Sequence, residues 1–352
     1  MLFPGEESSP GRLRHTRISA FQVDRYARAD WQCVSALLRA SPFRPLARFS
    51  DWSVEDLTAL YLARAQATLD SARTAAWLLR SANRGSGLAS VTHLPWDSEH
   101  LGLPAARLDH LVASGAYDEQ YHKKRALLAT ALKHAEKEDI QHLSVRVDAS
   151  DLSSLHVLES GGFITVDGIL TFCLDLDAKS GESGEGQQVP LTGIRLRLAT
   201  GADSEAVAEL ARSAYVYDRF HADPLITARR ADNLHADWLR NSFGGAAADT
   251  VLLIQDENGL LGFITCKVQQ DTRSHLGKSV GTIVMVATAD RARGKGIGRA
   301  LTLAALDWFR ERRTGIVEVG TQLRNIPAIR LYQRCGFRLF GSSISLRRDS
   351  RR

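Results

Sequence analysis

The order of strand and helix signals predicts an α+β protein made of two tandem domains, each a mixed β-sheet flanked by helices. Three observations predict it. Apolar runs of strand length are interleaved with stripes at helical spacing in the mixed order of an α+β fold. The chain also matches itself when shifted by 174 residues without a gap. Arg125-Ala126-Leu127 then falls on Arg299-Ala300-Leu301, Ala131-Leu132 on Ala305-Leu306, Val145 on Val319, and Gly162-Phe163 on Gly336-Phe337. Finally, the stretch DAKSGESGEGQQVP, starting at Asp177, has almost nothing to bury and reads as a linker near the middle of the 352 residues. The expected layout is a flexible N-terminus over 1–15, a first domain over 16–176, a linker over 177–191, a second domain over 192–346 and a basic tail over 347–352.

The elements of the second half read in order. A strand over 194–198 precedes helices near 203–215 and 229–242. Val251–Ile254 is a buried strand, and Asn258-Gly259 is hairpin turn chemistry leading into a strand over Leu260–Val268. Thr282–Ala287 is the third apolar strand. Ile297, Leu301, Ala304 and Trp308 give the next helix, 296–312, a buried stripe, and Gly315 stands where a helix C-cap belongs. A strand over 316–320, a helix over 326–334 and a final hairpin complete the domain.

Composition narrows the class of function. Forty-five Lys+Arg against forty Asp+Glu leave a formal charge of +5. Arg347, Arg348, Arg351 and Arg352 account for most of it, which argues against a nucleic-acid surface. The four cysteines are far apart in sequence and form no CxxC pair, so neither a disulfide framework nor a cysteine zinc site is expected, and no metal is. No run is long enough for a membrane helix and there is no signal core, so the chain reads as a soluble cytoplasmic protein without membrane insertion. Nothing in it fixes an oligomeric state.

The sharpest motif is Arg291-Ala292-Arg293-Gly294-Lys295-Gly296-Ile297-Gly298-Arg299, between a strand and a helix. Glycines let a backbone turn tightly and approach a ligand. The loop amides and the helix N-terminus then face one point, which suits a phosphate or pyrophosphate. The spacing is neither that of a Walker A loop nor that of a dinucleotide fingerprint. A second constellation follows: Asn325-Ile326-Pro327-Ala328, then Tyr332, then Gly336-Phe337.

Together these motifs, over roughly 194–346, resemble the signature of the Gcn5-related N-acetyltransferase (GNAT) superfamily. The resemblance implies tandem GNAT-like domains and acetyl-CoA as cosubstrate. It implies that Arg293, Gly294, Lys295, Gly296, Ile297, Gly298 and Arg299 hold the pyrophosphate. The strand carrying Val284 and Val286 would pair with the pantetheine arm, and Asn325 would contact the cofactor. Asp218-Arg219-Phe220-His221-Ala222-Asp223-Pro224, Trp238…Gly244, Thr321-Gln322…Asn325 and Trp96-Asp97-Ser98…Leu101-Gly102 are similar to the dTDP-fucosamine (dTDP-4-amino-4,6-dideoxygalactose) N-acetyltransferase type. About 80 residues precede that last segment beyond the similar region.

For acetyl transfer, Tyr332 is the expected general acid, since a phenol of pKa ~10 is protonated at neutral pH and can serve the departing thiolate. Glu318 is a weaker candidate for the base. Arg219, His221, Asp223 and Gln322 are candidates for holding the substrate. An amine near pKa 8 is partly neutral at pH 7 whereas a lysine at ~10.4 is not, which favours a small-molecule primary amine such as a nucleotide-linked amino sugar. A protein or antibiotic N-acetyltransferase, and a CoA-binding regulatory module without turnover, are the alternatives. Under the same shift Arg293, Gly296, Gly298 and Tyr332 fall on Glu119, His122, Lys124 and Leu158, so the first half is expected to be degenerate and to serve as scaffold or substrate wall. Substitution at Lys124 is accordingly expected to leave cofactor binding nearly intact.

Overall fold

The computed structural model describes residues 21–43, 52–81, 84–177 and 193–349. The expected N-terminal segment 1–15 and nearly all of the linker lie outside the described residues. The first half runs β1 (Gln22–Arg25), α1 (Trp31–Ala40), α2 (Val54–Leu69), β2 (Thr74–Ser81), β3 (Arg84–His93), α3 (Pro95–Leu101), β4 (Ala105–Ala113), α4 (Tyr117–Lys137), β5 (His142–Asp148), α5 (Leu152–Ser160) and β6 (Ile164–Asp175). The second runs β7 (Arg195–Leu198), α6 (Ser204–Ala214), α7 (Ala228–Phe243), β8 (Thr250–Asp256), β9 (Gly259–Gln269), α8 (Gln270–Leu276), β10 (Ser279–Thr288), α9 (Ile297–Glu311), β11 (Thr314–Gln322), α10 (Ile326–Arg334) and β12 (Arg338–Asp349). The two series are the same. Shifted by 174, α2, α5 and β6 coincide residue for residue with α7, α10 and β12, and even the short α3 falls within one residue of α8. The duplication read from a few residues therefore extends through every element.

The twelve strands of the described residues form one sheet, ordered β1-β2-β3-β4-β5-β12-β6-β11-β10-β9-β8-β7. Each half lends its last strand to the other. β6 pairs with β11, from Asp175 opposite Ile316 to Ile169 opposite Gln322, and β12 pairs with β5, from Ser343 opposite Asp148 to Asp349 opposite His142. The lent strands also pair with each other. Without them β5 and β11 would be open edges, which sheets avoid presenting. The expected final hairpin is thus a single strand. Gly341-Ser342 resembles a turn in sequence, but it sits at a register shift between Leu339 and Gly341. Nor is 347–352 a free tail: Arg347 and Asp349 are buried in β12, and residues 350–352 lie outside the described residues. Gly315 is a β11 residue. The helix before it ends at Glu311, and Arg313 supplies the left-handed residue, at φ 54°.

Helices cover both faces. On one, α9 and α10 bury Leu301, Ala305, Leu306 and Tyr332 against β9–β11, and α4 and α5 do the same in the first half. On the other, α6 and α7 cover β8–β10, and α1 and α2 cover β2 and β3. The halves meet through equivalent pairs. Arg64 of α2 bonds Asp271 of α8 at 2.7 Å, and His100 of α3 lies 3.2 Å from Asp237 of α7. Among the described residues no helix is long and apolar enough to cross a membrane.

Candidate active site

The glycine loop opens α9. Gly294 and Gly296 take φ of 75° and 79°, a region costly for any residue with a Cβ, and Gly296 is the N-cap. A glycine cap has no side chain to bond the first-turn amides, so these face outward from a 15-residue helix with its positive dipole end behind them. Gly298 serves packing: a Cβ there would lie 3.2 Å from a methyl of Leu331, so the glycine lets α10 close on α9. Arg293 is paired at the surface with Asp290 at 2.8 Å.

Beside the loop the sheet splits. Parallel pairing of β10 with β11 runs from Ser279 to Ile283, opposite Val319, and stops. At the same point Val284 is an extra residue against β9, since Ile283 faces Cys266 and Met285 faces Thr265. Such a bulge bends a strand. Val284 and Val286 therefore lie on the part of β10 that has left β11.

Tyr332 comes to this cleft from α10. It is 2% exposed, with the rings of Phe172 and Phe337 at 6.2 and 5.9 Å, and burial pushes its phenol well above the ordinary value. Asn325 caps α10, its Oδ1 accepting from the Ala328 amide at 3.2 Å. Sequence reasoning missed Tyr215, which approaches the same strand from the α6 side: its hydroxyl donates to the Val286 carbonyl at 3.1 Å. Burial raises that phenol also, and the nearby Tyr332 adds to the rise. No motif marks Tyr215, because its partner is a backbone atom 71 residues away.

The substrate candidates divide. Gln322 ends β11, partly buried and opposite Ile169. Arg219 stacks over Phe220 at 4.6 Å, with Asp97 of the first half 4.0 Å away. His221 is held between Asp218 at 2.6 Å and Asp232 at 3.0 Å. Asp223 must be reassigned. It is 2% exposed; Oδ1 accepts from Arg347 at 2.9 Å and from the Leu225 amide, and Oδ2 lies 3.0 Å from His142 Nε2. It ties the loop between α6 and α7 to β5 and β12, which occupies its carboxylate without a substrate. Glu318 pairs across from Thr282, one position before the cleft opens. Its Oε1 accepts from Gln269 at 2.5 Å and Thr282 at 3.1 Å, and burial raises its pKa. It faces a cavity of about 460 Å3, lined also by Tyr61, Arg146 and Asp148 of the first half.

That cavity is the counterpart of the cleft. Pairing of β4 with β5 stops at Leu108, opposite Val145, so the first half splits in the same way. The space at the start of its helix is filled. Lys124, in place of Gly298, is buried, and its ammonium donates to both oxygens of Asp151 (2.8 and 3.0 Å) and to the hydroxyls of Ser153 and Ser154 (2.8 Å each). Lys124 is therefore a core ion pair, which the sequence did not announce; the expectation that its substitution spares cofactor binding is a separate matter from this structural role. Leu158, in place of Tyr332, is fully buried.

Comparison with known proteins agrees with this geometry. Residues 205–337 match the acetyltransferase (GNAT) family model. The spore coat polysaccharide biosynthesis protein SpsD of Bacillus subtilis (strain 168) is 30% identical over 136 residues, 38% of this chain and 44% of that protein. A mycothiol acetyltransferase of Renibacterium salmoninarum is 25% identical over 244 residues, 68% of this chain and 66% of that protein. The chain thus spans about half to two thirds of the length of these relatives. A tandem GNAT protein from the clavulanic acid biosynthesis pathway, solved without AcCoA, superposes with a TM-score of 0.58 at 18% identity, covering 94% of this chain and 99% of that one. The fold is that of the GNAT proteins, in tandem.

Proposed function

We propose that this chain is an acetyl-CoA-dependent N-acetyltransferase with one working cleft, in its second half, acting on a small-molecule primary amine. A nucleotide-linked amino sugar, as in the dTDP-fucosamine type, is the acceptor we place first. The observation that carries the reading is the split of β10 from β11 after Ile283, beside the glycine-capped start of α9. The relatives' names, one from polysaccharide biosynthesis and one a small-molecule acetyltransferase, support the acceptor class.

The residues fit the cosubstrate. The amides of Gly294 to Gly298, with the charges of Lys295, Arg293 and Arg299, suit a pyrophosphate. The backbone of Val284 and Val286 and the side chain of Asn325 suit an extended amide-bearing arm. Acetyl-CoA supplies an acyl group activated as a thioester. Tyr332 Oη holds the proton for the departing sulfur. In water, transfer from a phenol (~10) to a thiolate (~8.5) is uphill by about 2 kcal/mol. Burial raises Tyr332 and raises thiols too, as Cys335 illustrates, so it does not by itself make the transfer downhill. Backbone amides on the part of β10 that has left β11 suit the oxyanion. Glu318 lines the first-half cavity and is bonded to Gln269 and Thr282, so it is not assigned as base in this cleft; an amine near pKa 8 lessens the need for one.

The test is turnover of acetyl-CoA over a panel of nucleotide amino sugars, aminoglycosides and lysine peptides, read by product mass. Acetylated amino sugar is the expected product. Transfer only to peptide or antibiotic would move the acceptor class, and CoA binding without any transfer would favour a regulatory module.

A further inference from the structure

We propose that Asp218, His221 and His235 form a site for one divalent transition-metal ion of the zinc type, at the base of the loop joining α6 to α7. One donor atom from each lies within 4.8 Å of the other two, and Asp218 and His235 are buried.

The hydrogen bonds decide where the lone pairs point. His235 Nδ1 lies 2.8 Å from the Ala231 carbonyl, which only accepts, so this nitrogen carries the hydrogen. In the neutral ring, Nε2 is then a bare lone pair. It faces Asp218 Oδ2 at 3.7 Å, too far for a hydrogen bond. His221 repeats the pattern. Its outer Nε2 lies 3.0 Å from Asp232 Oδ1, and its inner Nδ1 lies 2.6 Å from the same Asp218 Oδ2. Two imidazoles thus have their outer nitrogens fixed by an oxygen and their inner nitrogens turned to one carboxylate. Metal-bound histidines are oriented in this way, through a carbonyl or carboxylate on the far nitrogen. Two histidines and a carboxylate are also a recognised zinc donor set, to which a water adds the fourth ligand. A single shared proton satisfies His221 with Asp218 but leaves His235 Nε2 opposite an acceptor.

The position gives such an ion a consequence. The His235 ring stacks on Tyr215 at 4.8 Å and 7°, and the Tyr215 hydroxyl holds the Val286 carbonyl on the split strand. The same loop carries Phe220 and Ile226 onto Leu101 and Ala105 of the first half. The ion would fix the loop, and through Tyr215 one wall of the cleft.

The whole chain, stripped with a chelator, is titrated with Co2+ by visible absorption and with Zn2+ by calorimetry. One Co2+ per chain is expected, with the intense absorption of four-coordinate cobalt, displaced by one Zn2+. Asp232→Asn, at a partly exposed side chain, should fold normally and weaken binding by ~10–100-fold. His235→Gln should abolish the cobalt spectrum. No uptake by the unaltered chain, or uptake unchanged in Asp232→Asn, overturns the site and leaves His221 as an imidazolium between two carboxylates. These readouts do not depend on turnover.

Discussion

Tyr332 is held by two phenylalanines, so replacing it with phenylalanine keeps the packing and removes only the proton. Tyr332→Phe should lower kcat by ~10²–10⁴-fold at saturating acetyl-CoA, with cofactor affinity by calorimetry almost unchanged. A kcat within a few-fold would assign the proton to water or to Tyr215. A second residue carries a pH signature. His110, on β4, is buried beside Ser90 at 2.7 Å, and burial pushes its imidazole down to about 4 from 6.5. At pH 7 it is neutral in the folded chain and largely so in the unfolded one. Below 6.5 the unfolded chain takes up a proton that the folded one refuses until about 4, so stability is present above 6.5 and is lost as pH falls through this window. At 1.36 kcal/mol per unit the loss is about 3 kcal/mol, and His110→Gln should flatten the slope in urea titrations between pH 7 and 4. Equal slopes would place the acid sensitivity elsewhere.

At the scale of elements, the two helix pairs α4–α5 and α9–α10 show how one scaffold either opens or fills the space at a helix start. In the second half Gly298 lets the helices approach and the Gly296 cap leaves the first-turn amides bare; in the first, Lys124 fills the position of Gly298 and binds Asp151. Gly296→Asp, adding a Cβ at positive φ and a negative charge at a helix N-terminus, should remove measurable acetyl-CoA binding while the fold persists by circular dichroism. Lys124→Ala should act on stability, costing ~3–5 kcal/mol by leaving Asp151 buried and unpaired. Denaturant titration showing a cost below about 1 kcal/mol would mean that Asp151 finds water or takes a proton instead. The glycines announce the first case in sequence. A lysine at the N-terminal end of the Leu127-Leu128-Ala131 stripe is the only trace of the second.

At the scale of the molecule, exchange of β6 and β12 joins the halves into one sheet. What the exchange protects is an edge: residues 193–352 alone would lack β6 and leave β11 unpaired beyond β10. That fragment should be insoluble or self-associate in size-exclusion chromatography, whereas coexpression with 1–192 should restore a soluble complex of the full mass. A monomeric, folded 193–352 would show that β12 can turn back onto β11 by itself.

The sequence by itself determined the duplicated α+β fold, four helices of the second half to within a few residues (α8 escaped it), and the position of the glycine loop and of Tyr332 on its helix. These rest on local periods and on backbone chemistry that only glycine permits, and both are written in consecutive residues. It also told which half had lost its glycines. The tertiary structure alone decided that the halves trade strands, that Arg347 and Asp223 are spent on a buried tie, that Lys124 fills the first-half helix start, and that Tyr215 and His235 stand beside the split of β10 from β11. Each depends on contact between residues far apart in the chain. Which carboxylate or carbonyl meets a given side chain is set by strand register and helix packing, and no local pattern encodes that pairing.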